Sequence, residues 1–270
     1  MSVEGKVRAH TVGTLRRMKA KGERIVAITA YDALFARLQD QAGVDILLVG
    51  DSVGMVYGGR PDTLSVTVEQ MAYHTACVRR GAERALVVTD MPFLSVQGSF
   101  EDALVHCGRM LAEGGAQAVK VEGCPAVEGT IRRLVDCGIP VMGHLGLIPQ
   151  SIHRLGGYGQ RGRSEEEAAR LLDEAHRLEA AGCFSVVLEK VEPGLAQRIT
   201  SELSIPTIGI GSGPACDGQV LVNVDLLGLY EELDPAFVRR FARLAGPVRE
   251  AVAAYAQAVR EGTFPGPGEI

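Results

Sequence analysis

Short apolar runs alternate with longer segments of helical periodicity along this chain. The runs at 25–29, 46–49, 86–89, 118–121, 141–142, 186–188, 207–210 and 219–222 are rich in β-branched residues and lack strict alternation. Strands covered on both faces have that composition, because neither face needs a polar side chain. The segments between them read as helices with recognisable starts. Thr67 and Gln70 have the spacing of a capping box ahead of Met71, Thr75 and Val78. Ser99 and Asp102 precede the stripe Phe100, Ala103, Leu104, Cys107, Met110 and Leu111, and Ser164 and Glu167 precede Ala168, Leu171, Leu172, Ala175 and Leu178. Asp234-Pro235 reads as a further start, with a helix carrying Phe237, Phe241 and Leu244. Gly246-Pro247 is expected to break it before a last helix with Val248, Val252, Tyr255 and Val259.

Eight strands and at least seven helices in alternation fit a closed (β/α)8 TIM barrel better than an open doubly wound sheet. A single α/β domain is expected, with a helical extension over 1–24, the barrel over 25–260 and a tail over 261–270. The extension covers the barrel floor or meets an oligomer partner, since Leu15 and Met18 are apolar. The longest irregular connection is expected from Gly143 to Gly162, and a loop of that length is often functional.

Composition narrows this picture. The chain has 270 residues, 46% of them hydrophobic, which supports a large core. Its formal net charge of -5 and lack of a basic run give no nucleic-acid footprint. No apolar stretch approaches the roughly 18 residues of a membrane span, and the first residues carry no apolar signal region. Cysteines at 77, 107, 124, 137, 183 and 216 form no CxxC pair, so six reduced thiols in a cytosolic protein are expected.

The chemistry sits where the strands end. Asp51 and Ser52 follow the second strand and Asp90 the third, while the fourth runs into Lys120 and Glu122, the fifth ends at Gly143-His144 and the sixth ends at Glu189. In a barrel those ends ring one mouth. A lone aspartate there is often a helix cap. Two carboxylates converging in a partly dry pocket repel each other unless a cation or a proton lies between them. Asp51 and Asp90 are therefore candidate ligands of a divalent cation, with Glu122 joining directly or through water. Hard oxygen donors favour Mg²⁺ over Zn²⁺. Lys120 lies two residues before Glu122, on the same side of an extended strand, and either pairs with a carboxylate or holds an anion or developing oxyanion. His144 is a substrate contact or a core histidine bonded to a backbone carbonyl. Glu189, after Val186-Val187-Leu188, is a candidate general base, or else a partner of Lys190. Gly209 to Pro214 is either an anion-holding loop or a tight barrel turn, and it is no dinucleotide fingerprint. Together these groups suit metal-assisted carbon–carbon chemistry on a small 2-oxo acid, and they leave the electrophile open.

The motifs themselves resemble the ketopantoate (3-methyl-2-oxobutanoate) hydroxymethyltransferase family. They run in order: TAYD at 29–32, VGDSVGMV at 49–56, DTLSVT at 62–67, YHT at 73–75, TDMPF at 89–93, EGGAQAVKVEG at 113–123, PVMGHLGLIPQS at 140–151, LGGYGQRGR at 155–163, VVLE at 186–189 and IPTIGIGSGPACDGQVLV at 205–222. The resemblance implies transfer of a one-carbon unit from 5,10-methylenetetrahydrofolate to 3-methyl-2-oxobutanoate, giving 2-dehydropantoate for pantothenate and coenzyme A synthesis, through an enolate chelated by one Mg²⁺ per subunit. It implies Asp51 and Asp90 as Mg²⁺ ligands that thereby also meet the substrate, and Glu122 in the metal shell. It implies Ser52 and Lys120 on the substrate carboxylate, His144 at the pocket wall and Glu189 as the base. It also implies a cytoplasmic homo-oligomer, commonly a decamer. Cys124, Ile148, Lys190, Glu192, Ser212 and the tail FPGPGEI depart from the common family pattern, and none removes a group that touches the substrate or ion. Two competing readings are a Mg²⁺-dependent lyase of the isocitrate-lyase or phosphonomutase-like group, which should carry a loop cysteine in a KKCG-like motif absent here, and a non-catalytic barrel that only binds an oxo acid.

Overall fold

The computed structural model describes residues 9–231 and 236–269. Helix α1 (Val12–Lys21) leads into β1 (Ile25–Thr29), α2 (Ala33–Gln41), β2 (Ile46–Val49), the short α3 (Val53–Val56), α4 (Val68–Gly81) and β3 (Leu86–Asp90). Next come α5 (Phe100–Ala112), β4 (Ala118–Glu122), α6 (Glu128–Asp136), β5 (Val141–Gly146), a 3-10 turn (Pro149–Ser151) and α7 (Ile152–Leu155). The remainder is α8 (Glu165–Ala180), β6 (Ser185–Glu189), α9 (Pro193–Glu202), β7 (Thr207–Ile210), β8 (Gly218–Leu221), α10 (Asn223–Leu226) and α11 (Ala245–Glu261). The eight strands close in sequence order into a parallel barrel, with β8 pairing back onto β1 at Ile25↔Gly218. The chain divides into two compact units, Met1–Leu221 with all eight strands and Val222–Ile270.

Three of the expected helix starts are present. Thr67 and Gln70 form the reciprocal capping box of α4, and Ser99 caps α5 through the amide of Asp102. Ser164 caps α8, but the Glu167 carboxylate turns instead to the amide of Gly162 at 2.7 Å. Leu15 of α1 is fully buried in the barrel's core cluster, and Val12 and Met18 pack against that cluster. The helix therefore covers apolar surface of the barrel core.

Period-two geometry explains how the core gives way to the site. The core cluster contains Leu86 and Val88 of β3, Ala118 of β4, Met142 of β5 and Val187 of β6. Continuing each file in steps of two reaches Asp90, Lys120 and then Glu122, His144 and Glu189. The apolar layers thus end in one polar layer at the mouth.

Three expectations need correction. Strands β3 to β6 run one to four residues past their apolar runs, so Asp90 lies within β3 rather than after it, β5 continues past His144 to Gly146, and the connection beyond Gly146 holds a 3-10 turn and α7. The helix expected around Phe237, Phe241 and Leu244 is absent among the described residues, and its Asp234-Pro235 start lies outside them. Backbone amides there are used elsewhere: Phe241 and Leu244 donate to the carbonyls of Leu226 and Leu227 at 2.8 and 3.1 Å, which satisfies the exposed end of α10. Gly246-Pro247 does not break a helix but lies in the first turn of α11, where a missing amide hydrogen costs nothing.

Candidate active site

Four consecutive strands deliver the charged groups, and their register pairs them. Asp90 lies opposite Lys120, Glu122 opposite His144, and Gly146 opposite Glu189. Gly146 is obligatory for that last pairing. Its φ is +94°, and a Cβ there would stand 2.2 Å from the Glu189 carbonyl oxygen. Asp51 and Ser52 follow β2 through Gly50. A Cβ on Gly50 would meet the Ser52 hydroxyl at 2.7 Å.

Asp51, Asp90, Lys120, Glu122 and His144 are all buried, each less than a tenth exposed. Lys120 Nζ lies 3.1 Å from Asp90 Oδ1 and 3.9 Å from Glu122 Oε1, and 3.0 Å from His144 Nδ1. Asp90 Oδ2 accepts from the Asp51 amide at 3.1 Å. The His144 ring faces Glu122 through Nδ1 at 3.4 Å and Glu189 through Nε2 at 3.3 Å. Nδ1 must accept if the Lys120 ammonium donates to it. In that neutral tautomer, and equally in the imidazolium, Nε2 carries a hydrogen toward Glu189 Oε2. Glu189 keeps about a sixth of its side chain exposed, at 17%, so it stands at the rim and not in an apolar enclosure. Lys190, its expected alternative partner, donates to the Tyr158 carbonyl at 2.8 Å.

The electrostatics of the pocket follow from three buried carboxylates around one ammonium. Burial raises the pKa of Asp51 well above the ordinary range, and the charges of Asp90 and Glu122 add to it. Burial raises Asp90 as well, against the opposing pull of Lys120. Glu122 goes the other way: burial is outweighed by His144, Lys120 and the Gln150 amide, and its pKa falls. For His144, burial and Lys120 are outweighed by the two glutamates, and its pKa rises. Lys120 stays charged, because Asp90, Glu122 and Asp51 outweigh its burial.

This charge excess fits a divalent cation. An added positive charge would let Asp51 and Asp90 ionise together, and the donors are hard oxygens. Among the described residues, no three His, Cys, Asp or Glu side chains converge as a closed metal cluster. A site that drew on the Asp51 and Asp90 carboxylates would leave room for substrate and water in the shell, which suits the water-retaining Mg²⁺. Glu122 Oε2 is occupied by the Gln150 amide at 3.0 Å.

Two neutral residues belong to the site although the chain's charge pattern gave no sign of them. The Tyr31 hydroxyl lies 2.8 Å from Ser52 Oγ, and burial raises its pKa, so the phenol keeps its proton. Gln150 Nε2 donates to Asp51 Oδ2 at 2.9 Å. Both sit inside motifs noted above, in TAYD and PQS, but only the fold places them at the carboxylates. The Gly209–Pro214 segment behaves as a tight barrel turn. Ser212 Oγ donates to the Leu188 carbonyl and accepts from the Val191 amide, at 2.7 and 2.9 Å, bracing β6. All six cysteines are free thiols.

Comparison with known proteins adds an independent line. The sequence profile of a family described as ketopantoate hydroxymethyltransferase matches residues 9–267. The 3-methyl-2-oxobutanoate hydroxymethyltransferase of Geobacter sulfurreducens is 54% identical over 97% of this chain and 98% of its own length. That of Pelobacter propionicus is 54% identical over 94% of each chain. Among solved structures, phosphoenolpyruvate phosphomutase from Streptomyces platensis subsp. rosaceus superposes with a TM-score of 0.63 at 15% identity, covering 94% of this chain and 88% of that one. A 2,3-dimethylmalate lyase gives 0.57 at 17% identity, covering 96% and 87%. At such identities these two speak for the barrel alone.

Proposed function

The chain belongs to the ketopantoate hydroxymethyltransferase family, and from that premise we propose that its barrel mouth transfers a one-carbon unit from 5,10-methylenetetrahydrofolate to 3-methyl-2-oxobutanoate, giving 2-dehydropantoate. The activity is that of a hydroxymethyltransferase of pantothenate biosynthesis. The observation that carries the reading is the joining of a near full-length family match to one buried cluster in which Asp51, Asp90, Lys120, Glu122 and His144 meet.

In this reading Asp51 and Asp90 hold Mg²⁺, with Glu122 in its outer shell. When bound, the ion supplies positive charge against the negative charge that develops on the oxo-acid oxygens. The Ser52 hydroxyl and the Lys120 ammonium take the substrate carboxylate. Tyr31 holds Ser52 in place through their 2.8 Å hydrogen bond. Glu189 removes the proton from C3, and the His144 Nε2–H at 3.3 Å keeps its carboxylate turned inward. The carbon freed of its proton then forms the new carbon–carbon bond with the methylene carbon, whose two bonds to folate nitrogens break, while water supplies the product's hydroxyl and tetrahydrofolate leaves. C3 is tertiary and hindered, so fixing its orientation is a large part of the task. The wider proposal is a cytoplasmic homo-oligomer, a decamer in its most specific form.

Purified protein with Mg²⁺, 3-methyl-2-oxobutanoate and 5,10-methylenetetrahydrofolate should form 2-dehydropantoate. Cleavage of a substituted malate or isocitrate in its place would favour the lyase reading, and binding without turnover would favour a binding barrel.

A further inference from the structure

Gln150 is the first buried polar side chain beyond β5, only 6% exposed in the 3-10 turn Pro149–Ser151. It touches three strands' worth of mouth residues at once. Its Nε2 donates to Asp51 Oδ2 and to the Met91 carbonyl, each at 2.9 Å. Its backbone N–H donates to Glu122 Oε2 at 3.0 Å. The partners are 99, 59 and 28 residues away in sequence.

The amide has one orientation. The Met91 carbonyl can only accept, whatever the state of Asp51, so exchanging the amide's nitrogen and oxygen would set two acceptors face to face. Both Nε2 hydrogens are thus used. The Oε1 atom is buried and has no hydrogen-bond partner among the described residues. A buried glutamine kept only as a brace would be expected to satisfy both ends, since an unmet buried acceptor is costly. Here one end is fixed on a candidate ligand and the other is open beside it.

We propose that Gln150 is a positioning residue for the cation site: its side chain aims the Asp51 carboxylate, its backbone amide aims Glu122, and its open Oε1 receives a donor that arrives with the ligands, such as a water. This rests on the proposed Mg²⁺ role of Asp51. It makes the turn after β5 a clamp, because one displacement of Gln150 releases two carboxylates together. Outer partners that orient metal ligands are commonly worth about 10–100-fold in metal affinity.

The test is calorimetric titration of MgCl₂ into the full-length protein with saturating 3-methyl-2-oxobutanoate. Wild type is compared with Gln150→Met, which keeps length and volume without a donor, and with Gln150→Leu. The expected result is a Kd for Mg²⁺ raised about 10–100-fold in both, with near-UV circular dichroism unchanged. Raising Mg²⁺ above the new Kd should restore most of kcat in Gln150→Met, which a structural brace would not allow. A Kd within twofold of wild type, or variants that fail to fold, overturns the positioning role alone. Wild-type protein that takes up no Mg²⁺ overturns the cation reading and this inference with it.

Discussion

Replacing Lys120 with methionine removes the ammonium that faces the mouth carboxylates among the described residues, and its consequences are calculable. The charge lies 3.1 Å from Asp90 and 3.9 Å from Glu122. At an effective dielectric constant of about 20 those separations correspond to attractions of roughly 5 and 4 kcal/mol. Dehydrating the buried ammonium returns several kcal/mol of that, so the net cost of Lys120→Met is expected near 3–5 kcal/mol at pH 8, the range for breaking a buried pair. The loss should depend on pH. Asp51 and Asp90 already have raised pKa values in the folded state, and losing the ammonium raises Asp90 further. A carboxyl with a raised folded-state pKa binds more protons folded than unfolded. Its contribution is present at low pH and is lost as pH rises through the folded pKa. The deficit of the variant should therefore be largest at pH 8.5 and narrow toward pH 5.5, by up to about 1.4 kcal/mol per pH unit for each extra proton held. Urea unfolding at several pH values, in chelator so that a bound ion does not add to the folded state, measures this. A deficit below about 1 kcal/mol at pH 8, or one independent of pH, would refute the picture of three carboxylates relying on a single resident cation.

Two further outcomes follow from the geometry. Gly146→Ala should destabilise by about 2–4 kcal/mol, combining a left-handed backbone with overpacking against the Glu189 carbonyl; urea unfolding checks it, and a loss under 1 kcal/mol would show that β5 and β6 yield there. Burial pushes the thiols of Cys107 and Cys183 up to about 12, so a thiol reagent at pH 8 should label exposed Cys137 first and reach these two only on unfolding. Because those thiol pKa values are raised, their contribution to stability persists below the ordinary thiol range and fades as pH climbs through it toward 12.

How much was legible in the sequence differs between fold and site for physical reasons. All eight strands could be located because burial on both faces leaves mostly apolar, β-branched runs, although Val26 of β1 and Gln219 of β8 are exposed. The C-terminal ends of β3 and β5 were harder to place, because Asp90 and His144 continue those strands while looking like the polar residues that begin loops. The charged members of the site were readable for the same reason that they are costly: an acid or a lysine at a strand end needs a partner. Tyr31 and Gln150 carry no charge, and their importance lies in contacts to Ser52 and Asp51 made across 21 and 99 residues of chain. Periodicity also over-read the segment around Phe241, whose amides serve the carbonyls of α10 instead of their own helix.

Solvent deuterium exchange at C3 of 3-methyl-2-oxobutanoate, followed by proton NMR with Mg²⁺ and no folate, isolates the step assigned to Glu189. Wild-type protein should exchange the proton, and Glu189→Gln should bind the oxo acid and Mg²⁺ nearly as before while exchange falls by about 10²–10⁴-fold, the usual weight of general-base catalysis. Exchange at the wild-type rate in Glu189→Gln would contradict the assignment of the base.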